Sequence, residues 1–137
     1  MIGKVGFLCK ILNILIELQI NIPFITQASS EQSISICVSE NHLQDIKNNF
    51  DILLKNELEK KYIENIKYKD NISIITVVGN GMINKPGTVG KLFSDLGNND
   101  INILSISQGS TENSVSFIID NEMEIKTLNL LHKYCIK

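Results

Sequence analysis

Residues 25–38 read ITQASSEQSISICV, with serines at 29, 30, 33 and 35 and a glutamate at 31. A serine becomes a nucleophile only when a neighbouring base takes its proton, and histidine is the usual base. The chain has two histidines, His42 and His132, and neither lies in this stretch. Serines in such a run otherwise serve turns and the solvent face of strands, so no catalytic residue is assigned. A second stretch, VVGNGM (77–82), begins like a phosphate-binding turn. It lacks the third glycine, and the acidic residue about 20 positions on, that a dinucleotide loop needs. Cys9, Cys37 and Cys135 are scattered and form no C-x-x-C. They have no metal spacing, and His42 and His132 read as solvated helix residues. Neither a metal nor a cofactor is expected.

The text of the serine stretch returns as ISQGSTENSVSFII at 106–119. A shift of 81 residues lays the whole N-terminal part on a later part: MIGKVG on MINKPG, and INIPFITQASSEQSIS on INILSISQGSTENSVS. Over residues 1–39 this gives 15 identities without a gap, among them Lys4, Gly6, Lys10, Leu15, Asn21, Gln27 and Glu31. Ordinary residue frequencies would give roughly two or three. A duplicated structural unit explains the excess.

The bulk numbers allow this. The 137 residues suit one domain or two small ones, and 43% hydrophobic content is enough for a core. Net charge is −2, with 13 basic and 15 acidic side chains spread along the chain, which argues against a nucleic-acid partner. Lys10, Asn13 and Glu17 break the apolar N-terminal run, so no membrane span is expected. That run also lacks the small-residue cleavage site of a signal peptide. The cysteine usage fits reduced thiols and a cytoplasmic setting.

The elements follow from periodicity. Val5, Leu8, Ile11, Leu12, Leu15 and Leu18 fall at helical spacing, which predicts an amphipathic helix over about 4–19. Strands are expected at 20–26 and 33–38, the second alternating Ile34, Ile36 and Val38 with Ser33, Ser35 and Cys37. Leu43, Ile46, Phe50, Leu53, Leu54 and Leu58 predict a helix capped by Ser39 or Asn41, and residues 61–68 a closing strand. The second copy predicts a strand at 72–78 and a helix opened by Pro86 and Gly87, with Val89, Leu92, Phe93 and Leu96 inward and Gly97 near its stop. Strands at 101–108 and 114–119 follow, then a helix marked by Met123, Ile125, Leu128 and Leu131. The expected plan is α+β: two βαββαβ units in tandem, 1–68 and 69–137, each an antiparallel sheet with helices on one face. The run NISIITVVGNG precedes Met82 and nothing precedes Met1, so the first unit is expected to lack its N-terminal strand.

The stretches ITQASSEQSISICV, VVGNGM and INILSISQGSTENSVSFII together resemble the tandem ACT modules that end the aspartokinase polypeptide. They look most like those of threonine-sensitive bifunctional aspartokinase–homoserine dehydrogenases. The resemblance covers essentially the whole chain. It implies ferredoxin-like units that bind a small amino acid and transmit feedback inhibition to a catalytic domain, without chemistry of their own. It also implies pairing into a homodimer through these units. Two other readings stay open: a dimerisation module with no ligand, and a lysine-responsive sensor.

By the same resemblance, the loop entering the first helix of each unit faces the effector. Its residues here are Gly3, Lys4, Val5, Gly6, Phe7 and Leu8, repeated as Asn84, Lys85, Pro86, Gly87, Thr88 and Val89. A helix start with a glycine offers unpaired N–H donors to a carboxylate. The strand-end glutamine, Gln27 or Gln108, resembles the threonine-contacting residue, and its amide both donates and accepts. Asn21 and Gln27 share parity, as do Asn102 and Gln108, so each pair is expected on one face unless a bulge intervenes. Ile20, Ile22 and Phe24 are expected beneath the helices. In lysine-sensitive relatives an aspartate pairs with the ligand ammonium where this chain has Pro23, so threonine is preferred over lysine.

Overall fold

The computed structural model describes residues 6–28, 33–82, 85–110 and 113–135. The chain divides into two compact units, Met1–Asp70 and Asn71–Lys137. Both are α+β, with an antiparallel sheet and helices on one face, the ferredoxin-like plan. No helix among the described residues is long and apolar enough to cross a membrane.

Unit one runs α1 (Phe7–Glu17), β1 (Phe24–Gln27), β2 (Ile34–Cys37), α2 (Leu43–Leu53) and α3 (Lys55–Glu59). Its two strands pair from Phe24↔Cys37 to Gln27↔Ile34. Phe7, Ile11, Ile14 and Leu15 of α1 form the core with Ile20, Ile46 and Leu54. Lys10, on the polar side of α1, reaches Glu57 of α3 at 2.8 Å, and that carboxylate is almost wholly buried.

Unit two runs β3 (Ile72–Val78), α4 (Thr88–Asn98), β4 (Ser105–Gln108), β5 (Ser114–Asp120) and α5 (Glu124–Cys135). The sheet order is β3-β5-β4, so the long apolar strand SVSFIID is central. Val115, Phe117 and Ile119 of β5 point to one side and meet Leu92 and Leu96 of α4 and Leu131 of α5. Phe93 and Phe117 pack edge to face with centroids 5.8 Å apart. Burying one such side chain stabilises a fold by about 1.5–3 kcal/mol. The start of α5 is tied down by polar groups: Ser73 Oγ donates to Glu124 Oε2 at 2.6 Å, and Asn121 Nδ2 donates to Ser73 Oγ at 2.7 Å. Lys126 Nζ donates to the Asn99 carbonyl at 2.5 Å, just past the C-terminus of α4.

The first helix of each unit ends in the same way. Gln19 (φ 56°) and Asp100 (φ 55°) take the left-handed conformation, and the next amide bonds five residues back, Ile20 to Leu15 and Ile101 to Leu96. This closure satisfies a late helix carbonyl and seats the following isoleucine on the core. Gly97, expected near the stop, is the penultimate residue of α4. The expected start at residues 4–5 lies outside the described residues.

Several other expectations are corrected. Residues 61–68 form no strand. Ile63, Ile66 and Tyr68 still pack on the unit-one core, but they keep no two-residue period and present no single face to a sheet. The helix expected through Leu58 breaks at Leu54, and Leu53 is exposed. Neither Ser39 nor Asn41 caps α2: a 3-10 turn, Glu40–His42, intervenes, closed by the His42 amide on the Ser39 carbonyl. The inward face is Met123, just before α5, with Thr127, Leu130 and Leu131 of α5, while Ile125 and Leu128 are exposed. The spacing of that inward face, i, i+4, i+7 and i+8, leaves 125 and 128 out of phase.

Only the last four residues of the expected 101–108 strand join a ladder, and of the expected 20–26 strand only 24–26, with the ladder running on to Gln27. The Leu104 amide bonds the Ile118 carbonyl, and Ser105 also stands opposite Ile118. Two residues thus oppose one, which is a bulge. Ile101 and Ile103 pack into the core before it; after it, Ile106 and Gln108 stand opposite Phe117 and Val115 and share their face. The alternation slips by one residue, so Asn102 and Gln108 do not share a face. In unit one Ile20 and Ile22 pack with the core, and Gln27 stands opposite Ile34, a core neighbour. Phe24 is buried opposite Cys37, on the other face, and not beneath the helices.

Candidate functional site

The site grows from the connection between β3 and α4. β3 hands over to a chain of tight turns: the Met82 amide bonds the Gly79 carbonyl at 3.2 Å, and the Lys85 amide bonds the Met82 carbonyl at 3.3 Å. Gly87 then caps α4 in the left-handed conformation (φ 82°), a geometry that disfavours any side chain. Thr88 Oγ1 donates to the Lys85 carbonyl at 3.1 Å and fixes the turn to the helix start. Lys91 makes the first intrahelical bond, to the Gly87 carbonyl at 2.9 Å. The amides of Val89 and Gly90 head the helix without an intrahelical acceptor.

These turns wall one side of an open groove of ≈ 410 Å³, within the range of about 300–1,000 Å³ typical of small-molecule sites. Lys85, Pro86, Gly87, Thr88 and Val89 line it, and Gln108, the last residue of β4, faces them. The slip at the bulge is what brings Gln108 round, because it moves that residue to the helix-bearing face of the sheet. Met82 and Gly90 complete the lining. Neither was a candidate; the identity of Met82 with Met1 in the repeat was the available signal. Lys85 is the one charged side chain among the described residues that line the groove. With the helix start it makes the groove attractive to a carboxylate. Gln108 adds an amide that can meet a donor or an acceptor.

The other candidates fall in different places. Asn102 is exposed but is not among the residues lining the groove. In unit one, Gly6 caps α1 in the same left-handed conformation (φ 81°), and Gln27 is exposed at the end of β1. The Phe7 side chain is turned into the core, Leu8 is partly buried, and Asn21 and Pro23 are exposed. Gly3, Lys4 and Val5, with Asn84, Ser29, Ser30, Glu31 and Glu112, lie outside the described residues. Among the described residues no three His, Cys, Asp or Glu side chains gather as a metal site requires.

Comparison with known proteins gives this architecture a class. The ACT domain family matches residues 1–47 and 75–134, and the chain belongs to that family. It is similar to the bifunctional aspartokinase/homoserine dehydrogenase of Haemophilus influenzae, 34% identical over 131 residues, covering 96% of this chain and 16% of that protein. It is also similar to the enzyme of the same description from Buchnera aphidicola, 37% identical over 113 residues, covering 82% of this chain and 14% of the relative. The chain thus spans between about one-seventh and one-sixth of the length of these curated relatives. Among solved structures it resembles aspartokinase alpha and beta subunits, with a TM-score of 0.78 and 25% identity over 96% of this chain and 84% of that one. The ligand-free regulatory subunit of aspartate kinase from Thermus thermophilus shares the fold, with a TM-score of 0.75, 23% identity and coverage of 97% and 86%.

Proposed function

We propose that this chain is an amino-acid-sensing regulatory region of an aspartokinase, with threonine as its effector. The observation that supports it is the unit-two groove, in which the helix-entry residues Lys85–Val89 and the strand-end Gln108 meet. A carboxylate placed at the helix start, beside Lys85, and an ammonium near the Gln108 amide would together satisfy a zwitterion. Among the described residues that line the groove none is acidic, and by the resemblance Pro23 stands where lysine-sensitive relatives carry an aspartate. A lysine ligand would have its side-chain ammonium without an anion, which is costly once water is excluded. In this reading the effector bound here in the cytoplasm alters a catalytic domain of the same enzyme, which works as a dimer paired through its ACT units. The parent enzyme is of the kind fused to homoserine dehydrogenase.

Thermal melting of the chain with threonine or lysine tests the effector assignment. A ligand that binds only the folded state at 100 times its Kd adds about 2.7 kcal/mol of stability. Millimolar threonine is expected to raise the melting temperature and lysine to do less. No shift with either amino acid would remove the sensing role. A dimer whose sedimentation ignores both would point to a purely structural module.

A further inference from the structure

We propose that the outer edge of β2 in unit one is a strand-acceptor site, filled by an extended β-branched segment of a partner polypeptide. The two units match residue for residue here. Shifted by 81 residues, the β1–β2 register from Phe24↔Cys37 to Gln27↔Ile34 becomes the β4–β5 register from Ser105↔Ile118 to Gln108↔Val115. β5 is paired on both edges, with β4 on one and β3 on the other. Among the described residues β2 is paired on one edge only, with β1.

The backbone of β2 shows what that edge offers. The Ser33 carbonyl accepts from the Ala28 amide at 3.2 Å, so Ser33, Ser35 and Cys37 turn their backbone groups towards β1. Ile34, Ile36 and Val38 turn theirs outward. In unit two the matching groups bond β3, in a ladder from Ile72↔Asp120 to Val78↔Ser114. The Asn121 amide on the Asn71 carbonyl closes one end of it and the Gly79 amide on the Asn113 carbonyl the other, each at 2.8 Å. An uncovered row of strand donors and acceptors is a template for another strand. The side chains agree. Val115, Phe117 and Ile119 of β5 are 0% exposed, while their counterparts Ile34, Ile36 and Val38 pack on the unit-one core yet stay only partly buried. In unit two Ile75 and Val77 of β3 complete that cover, opposite Phe117 and Val115.

β3 therefore specifies the occupant: extended, antiparallel to β2, and apolar at the two residues opposite Ile34 and Ile36. Within the 137 residues the β-branched runs of this kind lie at 20–26, 33–38, 72–78, 101–108 and 114–119, and each already supplies a strand. A second copy has the same strands seated in the same way. The segment that fits comes from another polypeptide, held by main-chain bonds and selected through its alternate side chains.

Titration of the full chain with a labelled peptide of residues 71–79, NISIITVVG, tests the proposal by anisotropy and amide exchange. Saturable binding is expected, with slowed exchange at the Ile34, Ile36 and Val38 amides. Methylating the peptide nitrogens at the places of Ile75 and Val77 blocks the bonds to β2 and is expected to weaken binding about tenfold or more. Ile75→Asp in the peptide is expected to weaken it about as much, because its carboxylate would face the unit-one core. In the chain, Ile36→Pro removes an outward amide but none of the bonds to β1, and is expected to abolish binding. Far-UV dichroism separates that loss from unfolding, and the methylated peptide tests the same bonds on the unaltered chain. No saturable binding overturns the proposal, as does binding that methylation leaves unchanged or protection that falls on β3 or β4 instead. A sedimenting dimer that Ile36→Pro dissolves also overturns it, because a second copy then fills the edge.

Discussion

Units one and two are copies that have drifted apart in different layers. Their closures survive together: Gly6 and Gly87 enter the first helix with the same backbone, and Gln19 and Asp100 end it with the same backbone. Their interiors do not. Phe117 of unit two is fully buried at the centre of a three-stranded sheet, whereas its counterpart Ile36 is only partly buried in a two-stranded one. Unit one adds an ion pair, Lys10–Glu57, that ties α1 to α3. Such a pair commonly contributes less than a well-packed apolar contact, since both charges lose hydration. The backbone turns tolerate fewer alternatives than the core does, because a left-handed residue with a fixed bond has few substitutes while apolar side chains can be exchanged by volume.

The largest expected effect comes from truncating the equivalent core positions. Phe117→Ala is expected to cost unit two about 3–5 kcal/mol, and Ile36→Ala to cost unit one less, nearer about 2 kcal/mol. Urea unfolding with amide exchange resolved by unit reads both; equal losses would mean that the partial burial of Ile36 understates its packing. A smaller contrast concerns a misplaced hydroxyl. Thr127 is fully buried with no hydrogen-bond partner for its Oγ1 among the described residues, and the equivalent residue of unit one is Ile46, buried and apolar. Thr127→Val is expected to stabilise unit two by about 1 kcal/mol, and the reciprocal Ile46→Thr to destabilise unit one by about 1–3 kcal/mol. A destabilised Thr127→Val would show that the hydroxyl has a partner in solution.

The smallest contrast is in pH. Burial pushes the Cys37 thiol above its ordinary value of 9.0, and burial with the nearby Asp51 pushes Tyr68 above 10.0. The folded chain keeps these protons where the unfolded chain has released them. The resulting stability is complete below pH 9.0 and is lost as pH rises from there through the folded pKa values. Both groups are in unit one, and Ile118 stands at the position of Cys37 in unit two. Replacing Cys37 by valine is expected to flatten the alkaline fall in melting temperature; an unchanged slope would assign it elsewhere.

Much of this was legible in the sequence, and the misses share a cause. The repeat pointed to a duplicated unit, and β-branched alternation placed Ile72–Val78 as a strand. The loop from Lys85 to Val89 and the distant Gln108 were named together and do line one groove. Parity failed at the bulge, since a one-residue slip leaves no mark in residue type: Leu104 and Ser105 look like any strand pair. Periodicity also misread α5, where Ile125 and Leu128 imitate a core face while the buried position is Thr127. Residues 61–68 have strand-like composition, but a strand also needs a partner edge, which composition does not record.

The bulge at Leu104–Ser105 gives β4 something like a reading frame. Upstream of it Ile101 and Ile103 pack on the core; downstream Ile106 and Gln108 are the residues that stand opposite the core residues Phe117 and Val115. Every residue of β4 after the slip depends on that single irregularity for the side of the sheet it serves. A duplication that copied the residues without the slip would have kept the text of ISQGS and turned its glutamine away from the helix that it faces.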